Sequence, residues 1–453
     1  MQPVACRLQL WRPGRGRRTP PPIPPFPPPA RGMGGVPPAW ATGEGLREVL
    51  GKGGGELVGR LAEGGAPGVA GLLEATLRRL REGAPPGSLS GEFDVLADAA
   101  WEKLHTGNYG EVDCAWRDLF AAAAFARAGG AVAGGRPSDA MEHLDAALLF
   151  GSATFRPALQ AAAEGLLETL CAQGRRKRKG RNFRLGEDVC LEGLPAGSLL
   201  REGSKLAAAV DLIDRPSLEE FLGVMQRGRP ALILGAIDHW PALERWTNME
   251  YLRDALGPRH LPVEVGRDYS KDEWTQKVVR LEHFFEVSFG GGRRRAWEQK
   301  AGGATNNEVM MYLAQFPLFE HAPQLRRDFT TPDYCHLCGG DLVATNAWLG
   351  PRGTVTPWHT DPHHNLLAQV VGQKYVRMAP PKATPDLYPF QIGLTTNTSR
   401  VDALSPDLSE FPRYADVPYQ DCILEPGAML YIPPGWWHYV QSVSSSFSTS
   451  FWF

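Results

Sequence analysis

From about Gly186 to the C-terminus, glycines and prolines cut the sequence into short runs of Val, Ile, Trp, Tyr and Phe, and that punctuation most narrows what the chain can become. The runs are Ala231–Leu234, Leu261–Val265, Thr345–Leu349, Val355–Trp358, Leu366–Val371, Tyr375–Met378, Cys422–Leu424, Met429–Ile432, Tyr439–Val443 and Ser446–Trp452. Each has strand length and is bounded by turn-forming residues. Many short strands at this spacing assemble as an antiparallel sandwich or barrel. Helical patterning interrupts them around Ser217–Arg227 and Met249–Ala255.

The preceding sequence is built differently. From Glu44 to about Gln173 it is rich in Ala, Leu, Glu and Arg, with apolar residues at helical intervals, as in Leu72, Leu73, Leu77 and Leu80 or Leu144, Ala147 and Leu148. A helical domain is expected over 44–173. Trp101, Leu104, Gly107 and Tyr109 resemble the first helix and turn of a tetratricopeptide hairpin, with Arg117 to Ala128 as its second helix. Such a domain either holds a partner or serves only as packing. Residues 1–43 contain no Asp or Glu, six arginines, and the run Pro20–Pro29 broken only by Ile23 and Phe26. Proline at that density neither nucleates a helix nor donates to a sheet, so a disordered leader is expected. Its acid-poor composition is that of a transit peptide, but it has no serine and its prolines forbid a long amphipathic helix. The run Arg175-Arg176-Lys177-Arg178-Lys179-Gly180-Arg181 is expected to repel itself out of a helix and to form a linker over 174–186. A nuclear import receptor binds runs of this kind, so the nucleus is the expected compartment, with the cytoplasm as the other.

Charge excludes some functions. The 48 Lys+Arg against 50 Asp+Glu leave a net charge of −2, and no nucleic-acid motif stands out. No stretch approaches about eighteen uninterrupted apolar residues, so a soluble chain without a membrane partner is expected. Seven scattered cysteines, an odd number, suit a reducing compartment and exclude a cross-braced zinc finger of the PHD type. Cys335 and Cys338 form a lone CxxC with no second ligand pair, and a surface loop is expected there. The stretch Gly290-Gly291-Gly292-Arg293-Arg294-Arg295 reads as an exposed basic insertion.

The chemistry gathers at Gly353-Thr-Val-Thr-Pro-Trp-His359-Thr360-Asp361-Pro362. Side chains two apart on a strand point the same way, so His359 and Asp361 share a face and can occupy two adjacent positions on one metal. His438 is the third candidate: it follows Met429–Ile432 and the turn Pro433-Pro434-Gly435, and hairpin-connected strands would bring it opposite the HxD pair. Two histidines and a carboxylate on one face of a metal form the facial triad of non-haem Fe(II) oxygenases, although zinc takes the same ligand types. His363 and His364 are rivals that Pro362 is expected to turn away by ending the strand.

The segment from about Pro216 to Phe453 resembles a JmjC domain. The blocks Asn346-Ala-Trp348-Leu-Gly350-Pro-Arg-Gly353-Thr, His359-Thr-Asp361-Pro-His-His-Asn365, Gly372-Gln-Lys374-Tyr, Asn397-Thr-Ser399-Arg-Val-Asp402 and Ser446-Phe-Ser-Thr-Ser-Phe451-Trp452 are similar to the JmjC-domain protein five subfamily, also called lysine-specific demethylase eight. The resemblance implies a mixed architecture: an all-β double-stranded β-helix (cupin/JmjC) catalytic domain over 187–453, a preceding α-helical domain and a disordered leader. It also implies Fe(II) at His359, Asp361 and His438, with O2 and 2-oxoglutarate as co-substrates. The far carboxylate of 2-oxoglutarate needs a cation and hydroxyl donors. Lys374 matches the family's cation, Tyr312 and Thr356 its hydroxyls, and Asn365 an amide that contacts the co-substrate. His239-Trp240-Pro241-Ala242, Trp246 and Trp274 resemble the start of the domain and are read as architectural, whereas Trp348 and Trp452 lie either in the core or near the substrate mouth.

The function so implied is hydroxylation of a protein or peptide side chain. A histone methyl-lysine is the first target, its N-methyl group leaving as formaldehyde. An arginine carbon is the alternative. Two other classes stay open: a non-catalytic cupin-like binding protein, and a zinc hydrolase, which would need a nearby general base and have no use for Lys374.

Overall fold

A computed structural model describes residues 38–106, 109–177, 184–191, 207–266, 269–270, 274–290, 310–337, 339, 342–393 and 395–453. Residues 1–37, Lys179, Gly180 and Arg181, Cys338 and 291–295 of the basic insertion lie outside them. The chain divides into two compact units, Met1–Arg178 with Pro258–Leu261, and Lys179–Gly257 with Pro262–Phe453.

The first unit is helical: α1 Gly43–Glu63, α2 Pro67–Arg81, α3 Ser90–Leu104, α4 Cys114–Ala133, α5 Pro137–Phe150 and α6 Arg156–Lys177. Successive helices pack on one another around a leucine and alanine core. Leu73, Leu77 and Leu80 recur at three and four residues and are buried, while Leu72 is only half-buried. Two expectations change here. Order begins before Glu44, with a 3-10 turn at Ala39–Ala41 and Thr42 capping α1 by accepting from the Gly45 N–H. The basic run also does not end the helix at once, because α6 continues through Lys177.

The second unit is built on strands. They are β1 Ala207–Ala209, β2 Asp211–Asp214, β3 Ala231–Leu234, β4 His260–Val265, β5 Thr275–Arg280, β6 Met311–Phe316, β7 Ala344–Gly350, β8 Val355–Thr360, β9 Asn365–Val371, β10 Lys374–Ala379, β11 Tyr419–Leu424, β12 Met429–Ile432, β13 Trp437–Ser442 and β14 Ser446–Trp452. One sheet has the order β1-β11-β10-β13-β8, the other β2-β3-β12-β9-β14-β7-β6-β4-β5. From β8 onward the chain passes repeatedly between the sheets, as a double-stranded β-helix requires. The turn Pro433-Pro434-Gly435 is therefore no hairpin: β12 pairs with β3 and β9, whereas β13 pairs with β8 and β10. Proline cannot donate to a ladder, and a left-handed Gly435 (φ 75°) redirects the chain across the interior.

Helix α7, Leu218–Arg227, shows how local sequence sets the boundaries. Ser217 and Glu220 form a reciprocal capping box at its start, and Gly228 at φ 61° ends it. Trp246 is fully buried, and its indole N–H donates to Asp328, which also accepts from Arg245 and from the Tyr251 hydroxyl. Trp240 is buried as well. Both are architectural, as their place in the sequence suggests. Cys335 is buried rather than on a surface loop, and desolvation pushes its thiol up to about 12, so it is held as an inert thiol.

Candidate metal centre and adjoining cavity

Strands β8 and β13 pair directly, with His359 opposite His438. Asp361 follows the last residue of β8. The Asp361 carboxylate lies 3.8 Å from His359 Nε2 and 3.5 Å from His438 Nε2, and the two imidazole centroids are 4.0 Å apart. One ligand atom from each residue falls within 4.8 Å of the others, so the three could hold a metal ion together.

The rings are oriented in the same way. His359 Nδ1 is 2.8 Å from the Pro357 carbonyl and His438 Nδ1 is 3.0 Å from the Trp436 carbonyl, each two residues earlier. A carbonyl only accepts, so each Nδ1 carries a proton and Nε2 is the nitrogen left to face the carboxylate and offer a lone pair to a metal. Two imidazole nitrogens and a carboxylate converging on one point suit a shared metal ion, and a backbone acceptor on the outer nitrogen is the usual support of a metal-bound histidine. The donor set suits Fe(II) or zinc.

Neither rival histidine joins this cluster. Strand β8 stops at Thr360, ahead of Pro362. His364 stacks on Tyr431 and Phe453 and bonds the Tyr431 hydroxyl through Nδ1, while His363 lies 5.6 Å from the Trp452 ring.

The cluster opens into a cavity lined by both sheets. Tyr312, Thr356, Asn365 and Lys374 line it with the triad, as does Trp348; Trp452 does not. Strict alternation would put Thr356 and His359, three apart, on opposite faces of β8. A bulge there resolves this: His438 pairs with His359 but Val440 pairs with Thr356, so β8 carries one extra residue and both side chains reach the interior. Leu367, Ile432, Val440 and Ser450 also line the wall. The sequence signal for Leu367 and Val440 is their position two residues beyond Asn365 and His438 on the same strands.

At another part of the wall Lys374 is 1% exposed. Its Nζ donates to the Tyr312 hydroxyl at 3.2 Å and lies 5.6 Å and 5.8 Å from the Tyr312 and Trp348 ring centroids. No carboxylate pairs with it among the described residues, and burial alone pushes its ammonium down from 10.5 to about 7. Burial likewise pushes the Tyr312 phenol up, with a smaller push from nearby Glu264, so it is a neutral hydroxyl. Asn365 Oδ1 is buried without a hydrogen-bond partner among the described residues. Two glycines make room for this arrangement. A Cβ on Gly350 would lie 2.6 Å from the Tyr312 ring, and Gly372 takes φ 71° in the turn before Lys374, where a Cβ would strike the Ser445 carbonyl.

Residues 217–453 match the family model of a cupin-like domain, and residues 90–180 match that of KDM8-like, N-terminal ARM repeats. The chain is 38% identical over 382 residues to lysine-specific demethylase JMJ30 of Arabidopsis thaliana, covering 79% of this chain and 85% of the relative. Over 388 residues it is 36% identical to Jumonji C domain-containing protein 5 of Drosophila melanogaster (83% and 90%), and over 401 residues 34% identical to lysine-specific demethylase 8 of Xenopus tropicalis (79% and 87%). The chain belongs to the lysine-specific demethylase 8 family of JmjC proteins. It is a 2-oxoglutarate-dependent dioxygenase of the JmjC type, and chemistry with Fe(II) and 2-oxoglutarate is the family's. Within this demethylase 8 family member, the helical hairpins that the sequence likens to tetratricopeptide units fall where the ARM-repeat model matches.

Proposed function

We propose that His359, Asp361 and His438 hold the ferrous ion and that Lys374, Tyr312, Thr356 and Asn365 hold 2-oxoglutarate, within a catalytic domain of residues 187–453. The observation that carries this reading is Lys374: a buried ammonium, without an acidic partner among the described residues, lines the same cavity as the His-Asp-His cluster. Burying a lone charge costs several kcal/mol, a cost that an anionic ligand recovers on binding. A five-carbon diacid has one end for the metal and one for Lys374. Bound there, iron with 2-oxoglutarate and O2 supplies the oxidising power to hydroxylate a C–H bond, leaving succinate and CO2.

The chain's own residues do the rest. The Tyr312 and Thr356 hydroxyls donate to the distal carboxylate beside Lys374. Asn365 turns its amide toward the co-substrate. Leu367, Ile432 and Val440 keep water from the reacting centre. The hydrogen-bonded Nδ1 atoms keep both rings aimed with Nε2 toward the metal position. No general base is needed, because the substrate is attacked at a C–H bond.

The target is a protein side chain, and we infer a methylated lysine of a histone tail, acted on in the nucleus. JMJ30 of Arabidopsis and demethylase 8 of Xenopus carry lysine-specific demethylation in their names. The test is succinate formation with Fe(II) and 2-oxoglutarate over a panel of methylated histone peptides and arginine-bearing peptides, read by mass spectrometry. Loss of a methyl group supports the demethylase, gain of one oxygen on arginine supports the hydroxylase, and turnover that survives His359→Ala defeats both.

A further inference from the structure

Strand β8 is the last strand of its sheet, so the backbone groups on its outer edge have no strand to pair with. Those beside the His359–Asp361 pair find partners all the same. Thr360 N–H donates to the Asn397 carbonyl at 2.9 Å, Ser399 N–H donates to the Trp358 carbonyl at 2.9 Å, and His359 and Thr398 form a bridge. The Thr360 carbonyl on the same edge is met by a side chain: Asn397 Nδ2 donates to it at 2.8 Å. Asn397 therefore holds both backbone groups of the one residue that separates His359 from Asp361.

The chain tethers this bracket on its far side. The Ser399 hydroxyl donates to the Leu387 carbonyl, and Phe390 N–H donates to the Thr398 carbonyl at 2.9 Å. Asp361 needs such help, since it stands past the end of β8 and no strand pairing fixes it. Its carbonyl, in the peptide joining Asp361 to Pro362, accepts from Gly435 N–H at 2.9 Å; the Thr360 carbonyl, in the peptide joining Thr360 to Asp361, is restrained by Asn397.

We propose that Asn397 is a positioning residue for the His359–Asp361 pair: its carboxamide fixes the Thr360–Asp361 peptide and so sets the distance and direction of the carboxylate relative to both imidazoles. The inference rests on the reading that these three residues bind the metal. Groups that hydrogen-bond a metal ligand directly are worth about 10- to 100-fold in metal affinity, and Asn397 acts one step further out, so about tenfold is its ceiling. Asn397→Ala removes the donor but keeps the backbone pairing. Asn397→Asp keeps the shape but points an acceptor at an acceptor, so it is the more damaging of the two.

Manganese(II) serves as the probe, being a divalent ion that does not oxidise during titration. Its dissociation constant is measured for the full chain and for Asn397→Ala, Asn397→Asp, Ser399→Ala and His359→Ala, alongside the melting temperature of each metal-free protein. The expected result is a rise of up to about tenfold for both Asn397 variants, greater in Asn397→Asp, with metal-free melting close to wild type. The KM for 2-oxoglutarate at saturating metal should be unchanged. Unaltered manganese binding in both variants overturns the inference. So does weakening that merely follows loss of melting temperature and is matched by Ser399→Ala. If the wild-type protein binds no manganese that His359→Ala abolishes, the metal-centre reading itself fails, and the inference falls with it.

Discussion

Replacing Lys374 by methionine should make the ligand-free protein more stable and the co-substrate bind worse. The stem of the new side chain fills most of the old volume, while the buried charge disappears. An ammonium brought from 10.5 to about 7 is disfavoured in the folded state by about 5 kcal/mol as a ceiling. The penalty is complete below pH 7, where the group is charged in both states, and fades as pH rises toward 10.5, because only the unfolded chain then holds the proton. Wild-type stability without ligand should therefore climb between pH 7 and 10.5, and Lys374→Met should flatten that climb. At pH 6 the variant should gain about 2–5 kcal/mol, less what the lost bond to Tyr312 contributed, which is several degrees in melting temperature for a domain of this size. Truncating one member of a buried charge pair costs about 2–5 kcal/mol, so 2-oxoglutarate affinity at pH 6 should fall roughly 30-fold or more. Calorimetric melting at pH 6 and 9, with titration of 2-oxoglutarate into manganese-loaded protein, reads both effects. A variant that melts lower at pH 6 and binds 2-oxoglutarate as wild type does would refute the reasoning.

Two further outcomes test the surroundings. Gly350→Ala places a methyl against the Tyr312 ring and should raise the KM for 2-oxoglutarate about tenfold, with manganese affinity unchanged, since Tyr312 is not among the metal-facing groups. Asp328→Ala leaves the buried Trp246 N–H and the Tyr251 hydroxyl without their acceptor, and should cost about 3–5 kcal/mol in denaturant unfolding; a loss under 1 kcal/mol would show that the carboxylate is dispensable.

The parts of the fold that follow simple periods could be read in the sequence. Leucine spacing marked the helices, and the Gly- and Pro-bounded runs marked β3, β9, β12 and β14 nearly to the residue. His359, Asp361 and His438 stood out because alternation puts the first two on one face and the Gly/Pro turn isolates the third. What alternation could not supply was Thr356, since a bulge reverses its side, and only a resemblance placed it at the cavity. Strand β6 escaped notice because Gln315 sits at φ 47° and breaks its pairing with β7. Asn397-Thr398-Ser399 has turn-forming composition and no apolar period, so its pairing along β8 is visible only once the edge of that strand is. The passage from β12 across to β13 looked like a hairpin because a turn sequence records a change of direction without saying which sheet receives the next strand.

His359 and His438 are brought face to face by a pairing between strands far apart in the chain. No fragment that ends before β13 can assemble the cluster, nor can a molecule in which β8 has found another neighbour. If the three residues hold the metal as proposed, uptake of manganese at saturation reports how many molecules have paired β8 with β13.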